Sequence, residues 1–259
     1  MSTRSRPSLP SLIPLLLACT ALLALTASLL GGFPTGRIKA TPYTDTSADL
    51  PAEGTENPPP ITCIVIDAGH GGEDGGTSSA AGVLEKDLNL QTALLLRDLL
   101  VAMGREVRLT RSTDVLLYDP QSDYVGHKKE QDLATRLHMA QETPDALFVS
   151  IHMNAYPQSK YRGLQVWFSP NDPASALYAL GVQEKVREHL QPENTRRVKK
   201  ADGGIYLMEH VTSPAILIEC GFLSNPEEAA ALCDPAYRQK LALLIALSLL
   251  EQPENAALN

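Results

Sequence analysis

Apolar and polar positions follow one another along this chain in blocks that predict alternating strands and helices. Continuous apolar runs rich in β-branched residues suit strands that are buried on both faces. Such runs occupy 61–66, 146–152, 163–169 and 215–222, and a shorter strand is predicted over 106–110. Between them, leucine and alanine recur at helical spacing, which predicts helices from about 85 to 103, through 133–140, from about 174 to 190 and at the C-terminal end.

This alternation predicts a single α/β domain, a three-layer sandwich whose central, mostly parallel sheet is flanked by helices. On its first helix, Leu88, Leu95 and Leu99 share a face and are expected to point to the core, with Gly104 ending the helix. The polar, turn-prone stretch 111–127 is expected to be a surface loop.

The first sixty residues have a different character. Residues 1–10 carry basic but no acidic side chains, and 12–30 form an apolar run without charge, which indicates a signal peptide or an uncleaved membrane anchor. Basic residues before such a run keep the N-terminus in the cytoplasm and place the rest outside. The Pro- and Thr-rich stretch that follows is typical of a flexible linker. The predicted segments are therefore 1–30 (signal or anchor), 31–60 (linker), 61–252 (catalytic domain) and 253–259 (tail).

Composition argues against nucleic acid as a partner and against a dense disulfide framework. A net charge of -8 argues against nucleic-acid binding, and Trp167 is the only tryptophan available for stacking on bases. The cysteines, at Cys19, Cys63, Cys220 and Cys233, fit neither a zinc knuckle nor a dense disulfide framework. Cys63 and Cys220 are interpreted as buried thiols, and a bridge between them is the alternative.

Four polar residues stand at suggestive places, and the first of them, just past a buried strand, lies where open α/β sheets place their ligands. His70 follows the first strand, His152 closes the ALFVSIH strand, Glu85 opens the first helix, and Glu219 lies inside the apolar run AILIECGF. A carboxylate in a buried strand is costly unless it is paired or coordinated. Glu219 therefore needs either a metal site nearby or an ion pair with a distant arginine such as Arg136.

Two histidines and one carboxylate form a common ligand set for catalytic zinc, with a fourth position left open. A second carboxylate could then act as general base and afterwards as general acid. These residues are far apart in the sequence, so only the fold could assemble them. Asp67 and Glu73 are expected to support His70 as hydrogen-bond acceptors or to serve as ordinary turn residues.

Four segments in this order resemble the zinc-dependent N-acetylmuramoyl-L-alanine amidases, namely IVIDAGHGGEDGG, VLEKDLNL, ALFVSIHMNA and AILIECGFLSNPEEA. The resemblance implies Zn²⁺ as cofactor and hydrolysis of the amide between N-acetylmuramic acid and L-alanine in peptidoglycan. It implies zinc ligation by His70, Glu85 and His152, and catalysis by Glu219. Arg136 matches an arginine of less defined role, which gives substrate or structural support.

Further stretches resemble the germination-specific amidases of spore formers, namely SDYVGHKKEQDLATRL, IHMNAYPQSKYRGLQVWF and NTRRVKKADGGIYLMEH. That resemblance implies a role in spore cortex maturation, through muramic δ-lactam formation, and in germination. It also implies an extracytoplasmic location in the forespore envelope, with the membrane reached through the N-terminal segment.

Two alternatives remain open from the residues. One is a zinc carboxypeptidase or deacetylase with the same ligand set, and the other is a non-catalytic, anchored glycan-binding protein. The basic run from Arg196 to Lys200 favours a solvated loop, with contact to an anionic glycan or phosphate as the alternative. The remaining histidines carry no motif and are not expected to bind metal: His127, His138, His189 and His210.

Overall fold

A computed structural model describes residues 61–122, 125–143 and 145–251. The predicted anchor, linker and tail lie outside the described residues. The strands are β1 Cys63–Ala68, β2 Glu106–Leu109, β3 Ala146–Asn154, β4 Gln165–Phe168, β5 Lys199–Lys200 and β6 Ala215–Phe222. The helices are α1 Glu85–Ala102, α2 Lys128–Gln141, α3 Ala174–His189, α4 Tyr206–His210, α5 Pro226–Cys233 and α6 Pro235–Leu250.

The strands form one six-stranded sheet in the order β2-β1-β3-β6-β4-β5. Every neighbouring pair is parallel except β6 and β4, which run antiparallel. The prediction of a mostly parallel α/β sheet is confirmed. The reversal at β4 was not predicted, because apolar periodicity carries no strand direction.

Helices cover both faces of the sheet, which explains why the central strands β1, β3 and β6 are largely apolar on both faces. In β1, Ile64 and Ile66 pack into the larger core with α1, α3 and α6, whereas Cys63 and Val65 pack into a smaller core with α2 and α4. Alternate residues of β1 thus enter different cores. Among the described helices, none is both long and apolar enough to cross a bilayer.

The core face of α1 differs in detail from the prediction. Gly104 follows the helix with φ 83°, as expected for a residue that ends it. Leu88 is buried, but Leu95 and Leu99 are only partly buried, and Leu96 and Leu100 point to the core instead. The apolar face is wide, so the helix rotates to bury its centre and leaves the predicted leucines at its edge.

The described cysteines are free thiols, and Cys63 and Cys220 are buried. They lie in different cores, and β3 separates β1 from β6. The alternative of a Cys63–Cys220 bridge is therefore wrong, and the interpretation as buried thiols is confirmed.

Candidate metal centre

The carboxyl ends of β1 and β3 meet at one edge of the sheet because the two strands are parallel. His70 lies just beyond β1, and His152 lies near the end of β3. His152 is the register partner of Glu219 in β6, so both side chains emerge on the same sheet face. Helix α1 begins at this edge with Glu85. The structure therefore brings together the four residues that the sequence placed far apart.

The Glu85 carboxylate lies between the two imidazoles. Its Oε1 is 2.9 Å from His152 Nδ1, and its Oε2 is 3.3 Å from His70 Nε2. One potential ligand atom from each of the three residues lies within 4.8 Å of the others. We call His70, Glu85 and His152 the ligand cluster. Two imidazole nitrogens and a carboxylate oxygen at such spacing form a donor set that zinc uses in catalytic sites.

Two glycines leave room for this cluster. A Cβ on Gly69 would lie 2.2 Å from His152 Nε2, and a Cβ on Gly76 would lie 2.5 Å from Glu85 Oε2. His70 itself adopts φ 61°, a left-handed conformation that non-glycine residues seldom take. Such a conformation persists only where the surroundings hold it in place.

Two buried arginines hold the backbone around His70. Arg136 donates hydrogen bonds to the carbonyls of Ala68 and His70, each at 2.8 Å. Arg111 donates to Ala68 O at 2.8 Å and to Gly69 O at 3.0 Å. Three successive carbonyls of the loop are thereby satisfied by guanidinium groups. The stretch after Arg111 is a surface loop over its described residues, as predicted, but Arg111 itself is buried because these buried carbonyls need donors.

The charge of Arg136 is balanced by acids other than Glu219. Its guanidinium lies 2.6 Å from Asp67 and 2.8 Å from Asp132, and all three side chains are buried. Burial would raise the pKa of Asp67, but Arg136 and a hydrogen bond from Ser150 together hold it below its usual value. The alternative that Glu219 pairs with Arg136 is therefore wrong.

The acid beside His70 is also different from the predicted ones. Asp74 Oδ2 lies 2.9 Å from His70 Nδ1. Asp67 bonds to Arg136, and Glu73 pairs with Lys128 at 2.5 Å, so neither supports the imidazole. The turn between Gly71 and Gly76 brings Asp74 back to the ring, a local path that the sequence alone did not reveal.

The electrostatics of the ligand cluster favour an ionised carboxylate. Burial would raise the pKa of Glu85, but hydrogen bonds with His152 and His70 outweigh it and hold the pKa well below its usual value. Burial would lower the pKa of His70, but Glu85 and Asp74 raise it overall. Asn89 and the backbone N–H of Met153 also donate to Glu85 Oε1, at 3.3 and 3.1 Å. The i,i+4 spacing of Glu85 and Asn89 was a signal in the sequence that could have identified Asn89.

The pKa of Glu219 is shifted in the opposite direction to that of Glu85. Its Oε2 is buried and has no hydrogen-bond partner among the described residues, although the residue as a whole is partly accessible. Burial raises the pKa of Glu219 to about 7, with a further contribution from the negative charge of Glu85. A carboxyl group with such a pKa can both accept and release a proton near neutrality. An orphaned carboxylate oxygen beside a donor set of this kind fits a bound zinc ion.

The pattern of residues matches a known family. The model of the family described as "N-acetylmuramoyl-L-alanine amidase" matches residues 64–251. The chain belongs to this amidase family. It is 40% identical over 179 residues to the "Germination-specific N-acetylmuramoyl-L-alanine amidase" of Bacillus subtilis (strain 168), covering 69% of this chain and 74% of that protein.

Solved structures of other amidases share the fold. The CwlD amidase from Clostridioides difficile, solved in complex with the GerS lipoprotein, is 36% identical with a TM-score of 0.70, over 74% of this chain and 98% of that one. The catalytic domain of CwlV from Bacillus (Paenibacillus) polymyxa var. colistinus is 29% identical with a TM-score of 0.60, over 74% and 97% of the two chains. Membership of this amidase family makes the chain a hydrolase, and it argues against the carboxypeptidase, deacetylase and non-catalytic alternatives.

The other histidines of the amidase lie elsewhere. All four are exposed at the surface of the described structure, and none joins the ligand cluster: His127, His138, His189 and His210. The expectation that they are not ligands agrees with this placement.

Proposed function

We propose that this amidase uses zinc to hydrolyse the amide between N-acetylmuramic acid and L-alanine in peptidoglycan, and that it acts on the spore cortex. The observation that carries the proposal is that two carboxylates with different hydrogen bonding and opposite pKa shifts lie at one edge of the sheet. Both histidines contact Glu85 and favour its ionised form, whereas the buried Oε2 of Glu219 has no hydrogen-bond partner among the described residues. One can serve as a ligand and the other as an acid–base group.

His70, Glu85 and His152 would hold the zinc ion, which when bound supplies a Lewis acid for the amide carbonyl and acidifies water. The hydrogen bonds that reach Glu85 from Asn89 and Met153 N fix its orientation before any ligand arrives. Thr77 N donates to the other carboxylate oxygen at 2.9 Å. The ligand cluster is thus held by residues outside it.

Glu219 would carry the protons of the reaction. Its Oε2 accepts a proton from the water that attacks the amide carbonyl, and then returns it to the leaving L-alanine nitrogen, which departs poorly as an anion. A cation held at the neighbouring cluster would favour the ionised form of Glu219 that this first step needs. Its register position beside His152 supports this role, because the base must lie next to the ligand set.

The relatives support the biological setting. The Bacillus subtilis relative is named a germination-specific amidase, which supports a role for this chain in germination and in forming muramic δ-lactam in the cortex. Both roles require a location outside the cytoplasm, in agreement with the predicted export segment. The CwlD structure contains a lipoprotein, which supports a search for a lipoprotein partner of this chain.

Digestion of purified peptidoglycan by the zinc-loaded full chain tests the chemistry. Mass analysis should find free stem peptides that begin with L-alanine, together with glycan whose muramic carboxyl is free. Release of single D-amino acids or of acetate would instead identify a carboxypeptidase or a deacetylase. A Glu219→Gln variant serves as the inactive control.

A strain that lacks the gene tests the setting separately. Its spores should have cortex without muramic δ-lactam, while vegetative growth stays normal. A cortex of normal composition would reject the spore role and leave the amidase chemistry intact.

A further inference from the structure

A second polar group lies directly beside Glu219, on the β4 side of the site. Gln165 is the antiparallel register partner of Glu219, so the two side chains are neighbours on the same sheet face. Gln165 Oε1 accepts a hydrogen bond from Arg196 Nη1 at 3.0 Å, and Gln165 Nε2 donates to Arg197 O at 2.9 Å. The Arg196 guanidinium is therefore one side chain away from the proposed acid–base group.

Arg196 is held in place from several directions. Its Nε donates to Arg162 O at 2.6 Å, and its guanidinium carbon lies 4.4 Å from the ring centroid of Phe222 and 6.0 Å from that of Tyr161. The side chain is half-buried. The sequence favoured a solvated loop here, but a solvated arginine would not be bonded and stacked in this way.

The charge of Arg196 has no protein counterion within 4.0 Å among the described residues. Glu228 is the acid whose charge acts on Arg196, and it already accepts hydrogen bonds from the backbone N–H groups of Gly163 and Phe222. Glu227 and Glu193 pair with Arg162. Nη2 of Arg196 likewise has no hydrogen-bond partner in the part of the chain that the structure describes. A preorganised, half-buried cation with a spare donor is suited to an anionic ligand.

An aromatic wall adjoins this cation. Tyr156 and Tyr161 are 50% and 37% exposed, and their rings meet edge to face with centroids 4.7 Å apart. Their loop is fastened to the segment after β6, because Ser224 Oγ accepts from Tyr156 N at 3.0 Å and Asn225 donates to Ser159 O at 2.9 Å. We call Arg196, Tyr156, Tyr161 and Phe222 the arginine shelf.

Substrate chemistry decides which anion the shelf would meet. In an N-acetylmuramoyl-L-alanine linkage, the carboxyl group of muramic acid is consumed in the amide. The remaining carboxylates therefore lie on the peptide side of the scissile bond. The leaving nitrogen also belongs to the peptide, and Glu219, which would protonate it, lies between the ligand cluster and the shelf.

We propose that Arg196 binds a carboxylate of the stem peptide, so that the peptide extends from Glu219 over the arginine shelf and the glycan lies on the opposite side, near the His70 loop. This rests on the proposed function, since it names how that substrate lies in the site. Arg196 is then a specificity-determining residue, and the chain should prefer stem peptides with free carboxylates.

The test compares two soluble N-acetylmuramoyl-L-alanyl peptides that differ only in whether the peptide carboxyl groups are free or converted to carboxamides. The wild-type chain should cleave the free form with a kcat/KM roughly tenfold higher, the scale of one charge-assisted hydrogen bond at a partly exposed site. Arg196→Gln should abolish the preference, because kcat/KM should fall more for the free form than for the amidated form. Arg196→Lys should retain part of the preference.

Lys200→Gln is the matched control, because it removes the same charge from an exposed position of β5. It should keep the full preference. Thermal unfolding and zinc content are measured for each variant, so that misfolding is recognised, and Arg196→Lys then gives the comparison in a folded protein. Equal cleavage of both substrates by the wild type, or a preference that survives in Arg196→Gln, overturns the proposal.

A binding measurement separates this proposal from the proposed function. Calorimetry with the Glu219→Gln chain should show tighter binding of the free form, and the difference should vanish in the double variant that also carries Arg196→Gln. If neither substrate is cleaved but this binding difference is observed, carboxylate binding by Arg196 is supported and the proposed amidase function is rejected. If the two forms bind equally well, the proposal that Arg196 binds a peptide carboxylate is rejected, whatever the activity.

Discussion

A methyl group at position 69 should displace His152, one of the three proposed zinc ligands, without straining the backbone. In Gly69→Ala the new Cβ would lie 2.2 Å from Nε2 and 2.3 Å from Cε1 of His152. Ordinary contacts begin near 3.4 Å, so the imidazole must move by about 1.2 Å (3.4 less 2.2). Gly69 is not among the residues with positive φ, so the substitution acts through this contact alone.

A shift of this size should break the geometry of the ligand cluster. His152 Nδ1 lies 2.9 Å from Glu85 Oε1, and a movement of about 1 Å exceeds what a preorganised site tolerates. We expect zinc affinity to fall by about 10- to 100-fold, the range found when groups that orient metal ligands are changed. Activity on peptidoglycan at limiting zinc should fall with it.

Gly75→Ala is the matched control in the same loop. The nearest atom to its added Cβ is Leu84 Cδ2 at 3.5 Å, an ordinary contact, and its φ is not positive. Zinc affinity is measured for both variants by competition with a chelator, and folding is followed by thermal unfolding. If Gly69→Ala binds zinc as tightly as Gly75→Ala, then close packing against His152 does not position a ligand, and the reasoning is refuted.

Three further predictions follow from the same site. Glu219→Gln should keep its zinc while turnover falls by roughly 10²-fold or more, the scale of losing a general base; near-normal turnover with zinc in place would assign the proton transfer to another group. A His70→Ala, His152→Ala double variant should contain no zinc by elemental analysis, and full retention would reject the ligand assignment. Asp67→Asn should destabilise the fold at pH 7 by about 1.5–3 kcal/mol, because Arg136 loses one of its two buried carboxylate partners while Asp132 still balances its charge. Since the folded pKa of Asp67 is lowered, its contribution is complete above the unfolded value and declines as pH falls toward the folded one. Denaturant unfolding should therefore show the difference between Asp67→Asn and wild type shrinking below about pH 4, and a constant difference would contradict this linkage.

Local pattern was enough to predict the α/β class and strands β1, β2, β3, β4 and β6, and to single out the four polar residues as candidates, but it missed the two-residue β5. The run 215–222 coincides with β6, and α1 begins at the predicted Glu85. The spacing of apolar residues and the composition of a segment depend only on residues close together in the sequence, so both can be recognised without knowledge of the fold. The motifs around His70, His152 and Glu219 were recognisable for the same reason, since each joins an apolar strand to one polar residue.

The partners of these residues depended on the tertiary structure. Nothing near Arg111 in the sequence indicates that it satisfies carbonyls 42 and 43 positions away. Likewise Asp67 and Glu73 are both closer to His70 in the chain than Asp74 is, yet the turn selects Asp74.

The same holds for the position of Arg196. Its run of basic residues resembles a solvated loop, but the antiparallel pairing of β4 with β6 brings Gln165 next to Glu219 and so brings Arg196 to the site. Strand order and direction are decided by packing among distant segments. The hydrophobic pattern of one segment does not indicate which other segments it contacts.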